Sequence, residues 1–208
     1  MTKRVREILD RLDGHYGTDI HCFLSYEKPH ELLISTIMSA QCTDERVNRV
    51  AAELYRKYPD VRSFAEADLK ELERDIHSVG FYHTKAIHII GCCRALLEKF
   101  GGEVPEAIDD LTSLPGVGRK TANVVRTHVF NEPAVVVDTH VKRVSGLLGL
   151  TKEKDPEKIE YDLMKKLPKD HWSLINLQLI SLGRQLCVAR RPKCEACFLR
   201  DLCPSRRD

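Results

Sequence analysis

The sequence predicts an all-α protein, and three observations carry that expectation. Apolar residues recur at the 3.6-residue spacing of an amphipathic helix along almost every segment, turn residues separate the segments, and strand-type alternation is nearly missing. The one strand-like run, Val135 to Val137, is too short to found a sheet. About ten helices are expected from the periodic segments.

In chain order, Val5, Ile8, Leu9 and Leu12 lie at helical spacing among alternating charges, so the N-terminus reads as an amphipathic helix and not as a secretory signal core. Leu32, Leu33, Thr36 and Ile37 define a second helix, and Val47, Val50, Ala51 and Leu54 a third that stops at Tyr58-Pro59-Asp60. Leu69, Leu72 and Ile76 mark another, followed by Ala86, Ile89, Ile90, Cys93, Leu96 and Leu97 ahead of Gly101-Gly102 and Pro105. A helix ending near Leu111 is separated by a tight turn from one spanning about residues 119–130. After Asn131-Glu132-Pro133, a helix begins at Thr139 with Val141, Val144, Leu147 and Leu148 on its apolar face. Asp155-Pro156 then opens one carrying Ile159, Leu163 and Leu167.

With 208 residues, 42% of them hydrophobic, the chain can bury a core as one domain or as two small lobes. Aromatics are only 6%, so that core must be mainly aliphatic. No apolar run approaches the ~20 residues of a membrane span, which points to a soluble protein. The net charge of +2 says nothing about nucleic acid, but its distribution does. Residues 184–208 hold seven basic and three acidic side chains, a basic surface, whereas residues 53–75 and 151–170 are nearly balanced and read as solvated helix faces.

The basic tail also contains Cys187, Cys194, Cys197 and Cys203, spaced C-x6-C-x2-C-x5-C. Thiolates bind metal when several converge, and a short loop with two tight turns achieves convergence at little cost in chain entropy, so the set reads as an iron-sulfur ligand set. Zinc is the rival, although four-cysteine zinc sites usually pair two C-x2-C knuckles and this tail has one. Disulfides need an oxidising compartment, which the N-terminus does not suggest. Cys22, Cys42, Cys92 and Cys93 are scattered and read as small apolar core residues.

Leu114-Pro115-Gly116-Val117-Gly118-Arg119-Lys120 is a tight turn feeding a helix N-terminus. Pro115 stops the preceding helix, and Gly116 and Gly118 lack the Cβ that would block positive φ or hold the backbone away from a ligand. The outward N–H groups suit an anion such as a DNA phosphate, and Arg119-Lys120 adds charge; a plain interhelical turn is the simpler alternative. In a first helical turn beside Arg119, the Lys120 ammonium opposes the macrodipole, which favours the nucleophilic neutral amine. A phosphate contact explains Lys120 equally well. Asp138 stands as an N-cap before Thr139-His140-Val141. Ionised there, it can also accept a proton or stabilise a cationic sugar transition state.

The hairpin Leu114 to Thr121, the segment Val137-Asp138-Thr139-His140 and the four-cysteine tail, in this order and spacing, closely resemble the endonuclease III family, and the resemblance covers essentially the whole chain. It implies two all-α lobes with a DNA cleft between them. Residues 22–132 would form a six-helix lobe with the helix-hairpin-helix at about 106–130, and residues 1–21 plus 133–208 a lobe carrying a 4Fe-4S cluster in the loop 187–203. It also implies a monomeric, cytoplasmic base-excision repair enzyme that removes oxidised pyrimidines from duplex DNA as a glycosylase and cleaves the abasic site as a lyase, by β-elimination through a lysine Schiff base. Lys120 matches the family's nucleophile and Asp138 its essential carboxylate. Gln41, in Ser39-Ala40-Gln41-Cys42, matches a residue that fills the gap left by the displaced base. Taken alone, Gln41 is an ordinary loop residue. Family members commonly have Leu after the glycine on the opposite side, where this chain has Gly80-Phe81-Tyr82. Phe81 can still intercalate, or both aromatics can be core. Arg190, Arg191 and Lys193, in the first cysteine gap, match a loop that presses on DNA phosphates.

Three other readings stay open. The adenine-removing mismatch glycosylases resemble the chain, but typically lack a lysine at the position of Lys120 and carry a further C-terminal domain. A non-catalytic DNA-binding protein would use Lys120 as a phosphate contact and Asp138 as a cap. An electron carrier is the third.

Overall fold

The computed structural model describes residues 1–207; Asp208, the last residue of the expected second lobe, lies outside the described residues. Eleven α-helices account for most of the described residues: α1 Lys3–Tyr16, α2 Pro29–Met38, α3 Asp44–Lys57, α4 Val61–Ala65, α5 Leu69–Asp75, α6 Tyr82–Phe100, α7 Ile108–Thr112, α8 Arg119–Val129, α9 Thr139–Leu147, α10 Pro156–Lys166 and α11 Trp172–Gln185. Three short 3₁₀ turns, His77–Val79, Lys169–His171 and Arg200–Leu202, are also present, and no strand occurs among the described residues, Val135 to Val137 included. Among the described residues no helix is long and apolar enough to cross a membrane.

Helix starts follow local chemistry. Thr2, Thr43, Asp60, Asp68, Asp138 and Asp155 each turn a side-chain oxygen onto a first-turn amide of α1, α3, α4, α5, α9 and α10, satisfying donors that have no intrahelical acceptor. In α3 the acids Asp44 and Glu45 open the helix and Arg56 and Lys57 close it, complementing the macrodipole at both ends.

The chain divides into two compact units, Cys22–Glu132 and Met1–His21 with Pro133–Asp208. The first contains α2 to α8 around α2, whose Leu32, Leu33, Ile34, Ile37 and Met38 are all at most 4% exposed. Apolar residues surround α2 on every side, so it has no solvent face and must be central. The 19-residue α6 buries Ala86, Ile89, Cys92, Cys93 and Leu96 in the same core. Cys92 and Cys93 are inert core thiols, and burial pushes Cys92 up to about 12. Cys22 and Cys42 are half-buried against this core.

The second unit joins both ends of the chain. Val5, Ile8, Leu9 and Leu12 of α1 pack with Val141 and Val144 of α9, Ile159 and Leu163 of α10, and Ile175, Leu179 and Leu182 of α11. Polar groups on α11 fix its neighbours: Asn176 Nδ2 donates to Val136 O (2.9 Å), and Gln178 Nε2 donates to Asp13 Oδ1 (2.8 Å). The extended Val135–Val137 run is thus held by a side chain on α11 and has no ladder.

Candidate functional site

In the Cys22–Glu132 unit, the turn between α7 and α8 is anchored by Leu111, Leu114 and Val117, which are 0%, 3% and 6% exposed. Val117 N donates to Leu114 O at 3.1 Å, tightening the turn. Gly116 adopts φ +77°, and a Cβ there would lie 2.7 Å from His88 Cβ on α6. Only glycine meets both conditions, because an L-residue is strained at that φ and the contact leaves no room. Gly118 differs from the expectation for the pair. Its φ of −93° is open to any residue and an added Cβ meets nothing within 4 Å, so what it contributes is an uncovered backbone at the N-cap of α8. The first turn of α8 has no acidic residue; Arg119 is half-buried and Lys120 exposed.

Gln41 and Phe81 belong to the same unit and share an unusual backbone. Both have left-handed φ, +54° and +48°, and the one other non-glycine residue with positive φ among those described is Asn131. Both are exposed, Phe81 at 66%, which excludes it from the core, while Tyr82 packs partly buried against it. Their loops are cross-tied. The Lys85 Nζ on α6 donates to Met38 O at 2.7 Å and to Val79 O at 3.0 Å, and Arg46 Nη1 on α3 donates to Ser78 O at 3.1 Å.

In the other unit, Asp138 Oδ1 accepts from Val141 N at 2.7 Å, the N-cap geometry that the sequence predicts. The helix it opens, α9, lies so close to α11 that a Cβ on Gly183 would stand 2.7 Å from His140 Nδ1. From the same helix Arg143 reaches the tail: its Nη1 donates to Cys187 O and lies 3.8 Å from Cys187 Sγ, and its Nη2 donates to Gly183 O at 3.2 Å.

Cys187, Cys194, Cys197 and Cys203 line one cavity of about 60 Å³ with Leu147, Leu148, Leu182 and Leu186. None of the four forms a disulfide. Burial pushes the Cys187 thiol up against the pull of the Arg143 guanidinium, and burial raises Cys197 as well. Among the described residues no three His, Cys, Asp or Glu side chains are gathered closely enough for one metal ion. Four cysteines lining one leucine-walled cavity are the donor set that a thiolate-held multi-iron cluster takes. Lys193 N donates to Leu186 O at 2.8 Å and closes the base of a loop whose Arg190, Arg191 and Lys193 are exposed.

The tail has little secondary structure, and α1 holds it. Arg4 donates to Leu202 O through Nε (3.1 Å) and Nη2 (2.8 Å), and to Leu148 O. Arg11 donates to Phe198 O at 2.8 Å and pairs with Asp201 at 2.6 Å. The His15 ring stacks on Phe198 with centroids 4.2 Å apart. Arg4, Arg11, Lys85, His88 and Arg143 escape a reading of the sequence, since a basic residue on a helix looks the same whether it faces solvent or a distant carbonyl. The one signal is Lys85, which falls within the apolar register of α6 beside Ala86 and Ile89.

A helix-hairpin-helix turn, a carboxylate-capped helix and a cluster pocket beside a basic loop define a helical DNA-repair protein with an iron-sulfur centre. Residues 34–169 match the family described as HhH-GPD superfamily base excision DNA repair protein, and residues 187–203 match the iron-sulfur binding domain of endonuclease III. Endonuclease III of Synechocystis sp. is 52% identical over 185 residues, covering 88% of this chain and 84% of the relative. That of Bacillus subtilis is 44% identical over 202 residues, 97% of this chain and 92% of the relative. The structure of a trapped covalent intermediate of endonuclease III with DNA superposes with a TM-score of 0.93 at 43% identity, covering 99% of this chain and 97% of that one. The chain belongs to the endonuclease III family of the HhH-GPD superfamily, base excision DNA repair enzymes with glycosylase and abasic-site lyase activity. It accordingly carries an iron-sulfur cluster.

Proposed function

We propose that the protein removes oxidised pyrimidines from duplex DNA and cuts the resulting abasic site through a lysine Schiff base, with Lys120 as nucleophile. The observation that carries this reading is the exposed Lys120 in the acid-free first turn of α8, following a turn that admits only glycine at position 116. The Lys120 amine attacks C1′ of the damaged nucleotide, the glycosidic bond breaks, and its electron pair leaves with the base. Ring opening yields an imine between Nζ and C1′. That imine acidifies C2′, so loss of the C2′ proton and rupture of the C3′–O3′ bond cut the strand on the 3′ side. Asp138 stabilises the cationic sugar and its transition state, as an anion held in place by the cap of α9.

Gln41 and Phe81 fill the gap left by the displaced base, a role supported by their exposure and left-handed backbone. Gly116, Gly118 and Arg119 approach the phosphates through uncovered amides and charge. Arg190, Arg191 and Lys193 add contacts that carry no base information. Cys187, Cys194, Cys197 and Cys203 hold the cluster, read as 4Fe-4S, which cross-links the basic loop. The hairpin lobe, expected with six helices, is assigned to Cys22–Glu132, which holds the seven α-helices α2 to α8, and the cluster lobe to the other unit. The enzyme acts as a monomer on DNA in the cytoplasm.

Borohydride reduction on a duplex with one oxidised pyrimidine tests this. The wild-type protein should yield a covalent adduct, and Lys120→Gln should give none while its DNA affinity stays within about threefold. Normal strand cutting by Lys120→Gln would overturn the nucleophile assignment. Tight binding with no adduct in the wild type would instead indicate a monofunctional glycosylase.

A further inference from the structure

Lys85 is 4% exposed, yet it lies on α6 against a core of apolar side chains. Burying an ammonium is costly unless its donors are met, and a Met or Leu would fill the same space without that cost. Two donors are met by carbonyls from different parts of the chain. One is Met38 O, at the last residue of α2, and the other is Val79 O, at the last residue of the 3₁₀ turn His77–Val79. Met38 O lies at the C-terminus of the ten-residue α2, where the helix places partial negative charge, so a cation is the fitting partner.

The residues just downstream of the two carbonyls give the contact its meaning. Gln41 comes three residues after Met38 and Phe81 two residues after Val79, and these are the two exposed residues with left-handed backbone proposed above to enter the DNA. A non-glycine residue in that region costs on the order of 1–2 kcal/mol and persists only where its surroundings over-determine it. Cys42 N donating to Ser39 O (3.0 Å) constrains the first loop from within, and Arg46 Nη1 donating to Ser78 O (3.1 Å) ties the second to α3. Lys85 is the group that touches both.

We propose that Lys85 is a positioning residue: its ammonium clamps the Met38–Gln41 and Val79–Phe81 loops at a fixed separation, so that the two side chains enter the duplex together. The proposal deepens the reading of Gln41 and Phe81 and rests on it. It separates two activities. Base release from a duplex needs both side chains placed where the flipped nucleotide was, whereas cutting at a preformed abasic site in single-stranded DNA needs no partner strand held apart.

The test compares Lys85→Met, which keeps the apolar stem and removes the charge, with Gln41→Ala/Phe81→Ala and with the triple variant. Folding is checked by thermal melting and cluster content by visible absorbance. Lys85→Met should lower base release from an oxidised-pyrimidine duplex by about tenfold or more, while cutting of the single-stranded abasic substrate stays within about twofold. The triple variant should release base no more slowly than Gln41→Ala/Phe81→Ala, because a clamp has nothing left to position. Equal losses on both substrates, or full additivity in the triple variant, would overturn the clamp. Should Gln41→Ala/Phe81→Ala itself release base at the wild-type rate, the insertion reading fails and the clamp falls with it. If Lys85→Met does not fold, Lys85→Arg serves in its place. Its planar fork cannot meet both carbonyls at the same points, so duplex base release should drop by about threefold or more with single-strand cutting unchanged, and equal losses again overturn the proposal.

Discussion

Gly116 illustrates how little freedom the hairpin has at the level of a single residue. An alanine there faces a φ of +77° and a Cβ contact of 2.7 Å with His88, so Gly116→Ala should destabilise the protein by about 1–2 kcal/mol from the backbone alone, before any shift of α6. Thermal or denaturant unfolding measures the loss, and Gly118→Ala, with open space and ordinary φ, is the control. Should the two variants melt alike, the packing argument is wrong. Asp138 separates in the opposite way. Asparagine caps helices as well as aspartate, so Asp138→Asn should cost less than ~1 kcal/mol of stability. Loss of the fixed charge should slow base release by about 10²-fold or more. Single-turnover kinetics beside a melting curve distinguishes these effects, and a stability loss with normal base release would leave Asp138 as a cap alone. The sequence identifies these residues because glycine, proline and capping side chains act on their own backbone. It marks Lys85 only by its place in the apolar register of α6, and Arg143 not at all, because Met38 O and Cys187 O lie 47 and 44 residues away.

At the level of elements, α1 and α11 are joined through His171. Its Nε2 meets Asp13 Oδ2 on α1 at 3.0 Å and its Nδ1 meets Asp170 Oδ1 at 2.8 Å. Burial alone would lower the pKa of this ring, but hydrogen bonds to Asp170 and Asp13 outweigh it and raise the value above 6.5. The folded state therefore binds a proton more tightly than the unfolded chain, and the contribution is full below the unfolded pKa of about 6.5 and is lost as pH rises through the higher folded value. Melting temperature should fall over that interval in the wild type and fall less in His171→Gln, as calorimetry across a pH series would register; identical slopes would remove His171 as the source. Some helix starts are legible in sequence, since Asp138 and Asp155-Pro156 sit where an apolar period begins, whereas α4 and α11 are not among the periodic segments. Which helix faces another is not legible, since α4 and α7 are only five residues long and their burial depends on longer neighbours.

Across the whole molecule, the last stretch of chain owes its order to distant groups. Residues 187–207 contain one 3₁₀ turn, Arg200–Leu202, and are held by Arg4, Arg11 and His15 from α1 and by Arg143 from α9. Removing one proposed cluster ligand with Cys197→Ser should raise amide exchange in residues 187–203 strongly, with protection in α2 and α6 of the other unit kept, because a local unit opens at less than the global free energy. Exchange measured by mass spectrometry decides this. A rise spread evenly over both units would mean that the cluster supports the entire fold and is more than a cross-link of its own tail.

The sequence by itself determined the all-α class, some helix starts, the glycine-dependent hairpin with Lys120, the cap at Asp138 and the cysteine set, because each is written in residues close together along the chain. The tertiary structure decided that Phe81 is exposed while Tyr82 packs, that only Gly116 of the glycine pair requires its φ, and that the N-terminal helix clasps the cysteine tail. It also decided that a buried lysine spans two loops. Those outcomes depend on which groups meet after folding, and local periodicity and propensity carry no record of such meetings.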